Sequence, residues 1–461
     1  MRIPLGFIWL VLVCALQTVT ARPPNIITIN ADDLGWTDLS IQGSTFYETP
    51  NIDQLARDGA IFTNAYAASS NCAPSRACAI TGQYGPRHGV YTVDSSERGA
   101  PEDRKLIPTS NTIHLADEHV TIAEVLQAAG YVTGHVGKWH LGADPRTQGF
   151  DINVGGGLWG FPPGNGYHSP YDLPNCEQEA EGEYLTDRLG IEAVCFIEAH
   201  QDQPFFLSYA PYSIHSPIQG KQELVAKYQQ KTPSKEHYDP SYAAMVQSLD
   251  DNVGRILNAL KELGIEQNTL VVFTSDNGGV WRWSQQRPLT AGKGSYTEGG
   301  IRVPLFARWP RIIQPGMTFD TPVIGIDLFP TFLEAAGVTP PHNKRLDGVS
   351  LMPLLTHNGT IAERALFWHF PIYLQGSCPD RNDPLFRTRP GSVIRSGNWK
   401  LHEYFEDGRL ELYNLKDDIG ETNDLAQTHP EKADELYQQL ERWRAEIDAP
   451  VPTQLNPQYQ R

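Results

Sequence analysis

Uninterrupted apolar runs recur along this chain, and helical patterning fills the intervals between them. Asn25 to Ile29 reads NIITI, and Tyr131 to Val136, Pro204 to Tyr209 and Asn268 to Thr274 have the same texture. A run of this kind marks a strand buried on both faces, the situation of a parallel sheet covered by helices on either side. Between the runs lie helix starts with a physical signature. Thr49-Pro50 offers a cap and a first-turn proline, and Thr121 with Glu124 forms a capping box. Tyr184 to Ala199 and Asp327 to Ala336 read as helices. Ser241 to Leu263 carries Met245, Leu249, Val253, Ile256 and Leu260 at helical spacing. The pattern predicts an α/β fold with a large, mostly parallel sheet sandwiched by helices. Past about residue 365 the texture changes. Short runs at Ser392–Ile394, Trp399–His402 and Leu410–Tyr413, with turns at Gly397-Asn398 and Asp407-Gly408, predict an antiparallel sheet, closed by a helix from Pro430 to Ile447. The expected division is a leader at 1–21, an α/β domain at 22–365 and a smaller C-terminal α+β subdomain at 366–461.

Each buried run ends in polar residues: Asp32 and Asp33; Lys138 and His140; His215; Asp276 and Asn277. Ligands of open α/β sheets bind outside the carboxyl ends of the strands, so these groups can meet at one crevice. Singly, an Asp-Asp pair, an HSP or a DNG is more often a cap or a loop; their joint placement carries the argument. They fall into two chemical sets. Asp32, Asp33, Asp276 and Asn277 offer oxygens, which suit a hard divalent cation. Lys138, His140, His215, Lys293 and Arg76 offer donors and positive charge, which suit a sulfate or phosphate ester.

A further segment, Asn71 to Gly82 (NCAPSRACAITG), reads as a short helix with Pro74 in its first turn and Gly82 as a left-handed stop. Cys72 then sits at a helix N-terminus, where the dipole and free N–H groups favour an anion and depress a thiol pKa. The formal charge of −17 disfavours nucleic acid and anionic membranes as partners, so an anionic substrate needs a local positive site.

Met1 to Ala21 reads as a secretory signal: Arg2, an apolar run from Phe7 to Leu16, and a small-residue site at Val19-Thr20-Ala21. No later stretch is long and apolar enough for a membrane anchor, so the protein is expected to be exported. Cys78, Cys176, Cys195 and Cys378 allow three pairings; the reading leans to Cys176 with Cys195 or Cys378, leaving Cys78 a buried thiol.

The pattern C-x-P-S-R-x-x-x-x-T-G from Cys72 resembles that of the formylglycine-dependent (type I) sulfatases of the alkaline-phosphatase-like superfamily. GYVTGHVGKWHLG (130–142) resembles their second signature, and ADDLGW, HSP, SDNGG and GKGSYTEGGIRVP match further family motifs in family order. The less specific GNWKL and ELYNL segments extend the likeness toward the C-terminus. The resemblance implies that Cys72 is oxidised to formylglycine by a formylglycine-generating or anaerobic sulfatase-maturating enzyme. It implies that Asp32, Asp33, Asp276, Asn277 and the modified Cys72 hold one Ca2+. Arg76 would hold the aldehyde hydrate, Lys138 and Lys293 would grip the sulfate, and His215 with Lys293 would protonate the leaving alcohol. His140 would be the base that breaks the enzyme–sulfate adduct.

Two other readings stand beside this one: a phosphoester or phosphonate monoester hydrolase of the same superfamily, and a non-catalytic glycan-binding protein on a sulfatase scaffold. For substrate, Trp281, Arg282 and Trp283 follow the SDNGG motif, and the Gly- and aromatic-rich stretch Gly155 to Tyr171 adds His168. Aromatic faces and an arginine suit a sugar with a second anionic group. The expected substrate is a sulfated saccharide, attacked exo-fashion.

Overall fold

The computed structural model describes residues 22–377, 380 and 383–460. The leader reading falls on residues 1–21, and Cys378 also lies outside the described residues.

Eight strands form the main sheet, in the order Ile152–Val154, Val132–Gly137, Phe205–Ala210, Asn25–Ala31, Thr269–Ser275, Leu305–Arg308, Ala60–Phe62 and Met317–Phe319. The first five strands run parallel. Leu305–Arg308 is antiparallel to both neighbours. The register explains the apolar runs. Ile26, Phe206 and Leu270 are neighbours across three strands, and so are Ile27, Leu207 and Val271. Alternation along a strand sends the first triplet to one face and the second to the other. The two faces belong to separate hydrophobic clusters, and every residue of both triplets is fully buried.

Over one face lies the helix Pro240–Glu262, against Leu185–His200 and Pro50–Arg57. It begins a residue earlier than expected. The Asp239 carboxylate accepts from the Ser241 and Tyr242 amides, and Pro240 occupies the first turn, where it lacks nothing the helix needs. Helices Ile122–Ala128 and Leu328–Ala336 cover the other face. The strands Ala60–Phe62 and Met317–Phe319 were not expected; at three residues each they carry too little pattern to be read. No helix among the described residues is long and apolar enough to cross a membrane.

The second sheet is antiparallel, Leu366–Phe370, Gly391–Ser396, Trp399–Tyr404 and Arg409–Asn414 in that order, with helix Pro430–Glu446 on it. Its core continues into earlier parts of the chain. Ile394, Leu401, Leu412, Leu436 and Leu440 share a cluster with Tyr66, Ile301 and Ile324. Beside that cluster runs a buried ionic network. Lys400 reaches Glu298 at 2.9 Å and Glu421 at 3.1 Å, and His402 Nε2 lies 2.8 Å from Glu421. Glu298 also receives Tyr66 and Arg302. The network clamps the second sheet to the segment that follows Lys293.

The favoured cysteine pairing is corrected in one respect: Cys176 and Cys195 are not joined to each other, and both are free thiols. Cys176 is buried with Tyr184 and Leu185 in the core, whereas Cys195 is exposed on the Leu185–His200 helix, so the two face different environments. Cys78 is a buried thiol, as read from the sequence.

Lys400, Glu298 and Glu421 are fully buried, so Lys400→Met leaves two carboxylates inside the protein with Arg302 on Glu298 and only His402 on Glu421. It is expected to cost about 3–5 kcal/mol in a urea titration. Removing the exposed Arg345–Glu446 pair should cost about 0–1 kcal/mol. Equal costs for the two would contradict the clamp.

Candidate active site

Four strands of the main sheet end at one rim. Asp32 and Asp33 follow Asn25–Ala31, Lys138 and His140 follow Val132–Gly137, and Asp276 and Asn277 follow Thr269–Ser275. His215 ends a short loop after Phe205–Ala210. Backbone hydrogen bonds lock these loops together: Ile214 N to Asp32 O (2.5 Å), Lys138 N to Ala210 O (2.6 Å) and Asp276 N to Ala31 O (3.1 Å). Cys72 is the first residue of helix Cys72–Thr81, which ends on Gly82 at φ 66°, in the left-handed region. Lys293 arrives on a loop pinned by its amide to Gly279 O and by the Gly294 amide to Ser70 O, both 2.9 Å.

The side chains form one alternating array of charge. Lys138 Nζ donates to Asp32 Oδ2 at 2.7 Å. Lys293 Nζ lies 2.7 and 2.9 Å from the two oxygens of Asp33, and 3.5 Å from Cys72 Sγ. Arg76 donates to Asp276 Oδ2 through Nε (2.9 Å), with Nη2 in ion-pair contact at 2.8 Å, and donates through Nη1 to the Lys138 carbonyl. Asn277 Nδ2 donates to Asp33 Oδ1 at 2.8 Å. His215 Nδ1 donates to the Ser216 carbonyl (2.7 Å), which leaves Nε2 facing Asp33 Oδ2 at 3.8 Å. His140 has φ 61°, and its ring lies against Gly160, where a Cβ would come 2.5 Å from Cε1.

Burial sets the protonation states, and neighbouring charges modify them. Burial raises Asp32 well above the usual carboxylate range, and Lys138 only partly offsets it. Burial would also raise Asp33, but Lys293, His215 and Lys138 outweigh it and hold Asp33 ionised. Burial opposes ionisation of the Cys72 thiol, yet Lys138 and Lys293 bring its pKa below the ordinary value. Burial and then Lys138, Arg76 and Lys293 push His140 down to about 2; burial and Lys293 push His215 down to about 4. Both imidazoles are therefore neutral at pH 7.

The donor set fits a hard cation. Asp32, Asp33 and Cys72 each place a ligand atom within 4.8 Å of the others. Oδ1 of Asp32 and Oδ1 of Asn277 are buried with no hydrogen-bond partner. Buried oxygens without donors are costly, and a divalent cation with oxygen preference would satisfy both. It would also add to the positive charge of Lys138, which only partly offsets the burial of Asp32. Asp276 is differently engaged: Arg76 takes Oδ2, and the Asp33 amide takes Oδ1 at 3.2 Å.

None of the three pocket residues read from the sequence makes a hydrogen bond, ion pair or ring contact with this array among the described residues. Trp281 Nε1 donates to Asp380 at 2.8 Å. Arg282 is exposed, with its guanidinium over the Trp283 ring at 5.5 Å. His168 packs edge-on against Tyr184, with centroids 5.4 Å apart. The 155–183 stretch instead brings in Phe161, which stacks near His215 (6.5 Å, 19°), and Tyr167, whose hydroxyl lies 2.6 and 2.8 Å from the Tyr212 and His215 carbonyls. The only sequence signal for them was the aromatic content of that stretch.

Comparison with known proteins adds an independent finding. The family model described as Sulfatase matches residues 24–338, and that of the N-sulphoglucosamine sulphohydrolase C-terminal region matches residues 292–446. A sulfatase of Formosa agariphila is 35% identical over 93% of this chain and 90% of its own length. Human arylsulfatase A is 34% identical over 96% of this chain and 92% of its own. Among solved structures, Ps i-CgsB in complex with k-i-k-neocarrahexaose superposes with a TM-score of 0.76 at 31% identity, covering 92% of this chain and 93% of that one.

If the orphaned oxygens mark a cation site, Ca2+ at about a hundred times its Kd should stabilise the protein by about 2.7 kcal/mol. Asp32→Asn should lose that gain. Differential scanning calorimetry with and without chelator measures both; an equal gain in the variant would place the ion elsewhere.

Proposed function

This chain belongs to the sulfatase family and is an enzyme of that family, and from this premise we propose that it removes sulfate from a sulfated saccharide, acting exo-fashion on an oligosaccharide or polysaccharide. One observation carries the reading. Cys72 stands at a helix N-terminus with Lys138 and Lys293 beside it and buried oxygen donors behind it. That is a receptor for an anionic, tetrahedral ester. The saccharide class is supported by the likeness to Ps i-CgsB, solved with k-i-k-neocarrahexaose.

In this reading the working residue at position 72 is formylglycine, installed by a maturation enzyme. It supplies a hydrated aldehyde with two hydroxyls on one carbon, so that one can bond to sulfur and the other can drive release. Asp32, Asp33, Asp276, Asn277 and residue 72 would hold one Ca2+, which supplies positive charge for the developing oxyanion. The remaining work falls to the chain's own side chains. Lys138 and Lys293, already held by Asp32 and Asp33, grip the sulfate oxygens. Arg76 orients residue 72 from the Asp276 side. His215, fixed by Ser216 so that Nε2 faces the cluster, is neutral in the free protein and takes up a proton at Nε2 when the anionic ester binds beside it; with Lys293 it passes that proton to the leaving sugar oxygen. His140 is neutral and buried, which suits a base acting on residue 72 in the second half-reaction. A cleaved leader at 1–21, export, and a division into a catalytic domain (22–365) and a C-terminal subdomain (366–461) belong to the same proposal.

The test uses full-length protein whose residue 72 is verified as formylglycine by mass spectrometry. Sulfate release from a panel of sulfated saccharides is followed by ion chromatography, beside nitrophenyl sulfate and nitrophenyl phosphate. Sulfate release is expected, and Cys72→Ala should lower it on the order of 10³-fold or more. His215→Ala should slow a saccharide by about 10²-fold, and nitrophenyl sulfate less, because nitrophenolate leaves without a proton. Turnover of the phosphate with no sulfate released from any ester would contradict the reading.

A further inference from the structure

A cavity of about 650 Å³ opens between the second sheet and Thr290 and Ser295–Thr297, which flank Lys293 in the chain. Most charged groups on its wall already have partners. Arg389 is bound to Asp383 (2.5 Å) and Glu406 (2.8 Å), and Asp380 accepts from Trp281 (2.8 Å) and Arg287 (2.7 Å). Arg387 differs: among the described residues it makes no hydrogen bond and no ion pair. Its stem lies on Gly294, the residue after Lys293; a Cβ there would meet Arg387 Cδ at 3.1 Å. Its Nε lies 3.0 Å from the Cβ position of Gly376. Arg98 reaches the same turn of chain: it donates to Oε1 of Gln375, the residue before Gly376, at 2.7 Å and to the Val93 carbonyl at 3.2 Å. Burial and the neighbouring Arg387 lower the Arg98 pKa, and Asp94 only partly offsets them.

Two guanidinium groups drawn to one turn of chain repel each other, and the repulsion grows as water is excluded. An oxyanion between them would relieve it, and the planar fork of arginine matches the edge of a sulfate or carboxylate. We propose that Arg387, with Arg98 beside it, binds a second anionic group of the substrate, so that the preferred saccharide carries a sulfate or a carboxylate besides the sulfate that is cleaved. The proposal rests on the saccharide reading above and adds what that reading leaves open, the charge of the preferred sugar.

The test compares kcat/KM on three saccharides that share the scissile sulfate: one with no other charge, one with a second sulfate, and one with a uronate. The wild-type enzyme should favour one or both dianions at least tenfold over the monoanion; which of the two is favoured identifies the group. Arg387→Met keeps the aliphatic stem over Gly294, and it should reduce that preference by about tenfold, chiefly through KM. Arg387→Lys should restore part of it. A preference unchanged within twofold in Arg387→Met, with the enzyme active, would overturn the role of Arg387 alone. No sulfate release from any of a wide panel of sulfated saccharides by wild-type protein of verified formylglycine content would overturn the saccharide reading, and the proposal with it.

Discussion

Two adjacent aspartates, almost wholly removed from water at the end of the central strand, set the terms for the rest of the molecule. Asp32 and Asp33 cannot both ionise in such a place without positive charge close by. Lys138 answers one and Lys293 the other, and Arg76 answers the neighbouring Asp276. Each cation comes from a different stretch of chain. The fold must therefore bring the strand ends at 31, 137 and 275, the helix at 72 and the loop at 293 to one rim. The parallel sheet does this by its handed, repeated connection of strand to helix to strand.

The same charges that hold the aspartates face Cys72. An array balanced against carboxylates in the free protein is available to a sulfate ester, because a bound cation can take over the neutralisation of the aspartates. The unpartnered oxygens of Asp32 and Asn277 mark where that exchange would occur. Little rearrangement is required, since the loops are pinned by backbone hydrogen bonds and the imidazoles by Ser216 and Gly160. Preorganisation of this kind is the main source of stabilisation for developing negative charge. The second sheet takes part as well. Through Lys400 and Glu298 it steadies the segment behind Lys293, and a separate strand pair, Leu374–Gln375 with Phe386–Thr388, lays Arg387 on Gly294, the residue after Lys293.

What the sequence revealed follows from periodicity. Asn25–Ala31 and Thr269–Ser275 are buried on both faces, so their apolar runs were plain and the polar residues at their ends stood out. Cys72 was legible because Pro74 and Gly82 bracket a helix. Residues whose placement depends on loops were not legible. Phe161 and Tyr167 lie in a stretch without helix or strand, and nothing in its composition told His168, which packs on Tyr184, from Phe161, which reaches His215. Arg387 sits on a three-residue strand, and its meaning comes from Gly294 and Arg98, both distant in sequence. Cys176 and Cys195 failed to pair for a similar reason: their spacing says nothing about which one faces the core.

A bound cation must share the buried carboxylates with the lysines that receive sulfate. A crystal structure of the matured protein grown with Ca2+, with anomalous scattering used to locate the ion, addresses this directly. One peak is expected among Asp32, Asp33, Asn277 and residue 72, with Lys138 and Lys293 turned toward the space in front of residue 72. An empty position there, with both lysines still paired only to Asp32 and Asp33, would contradict that sharing.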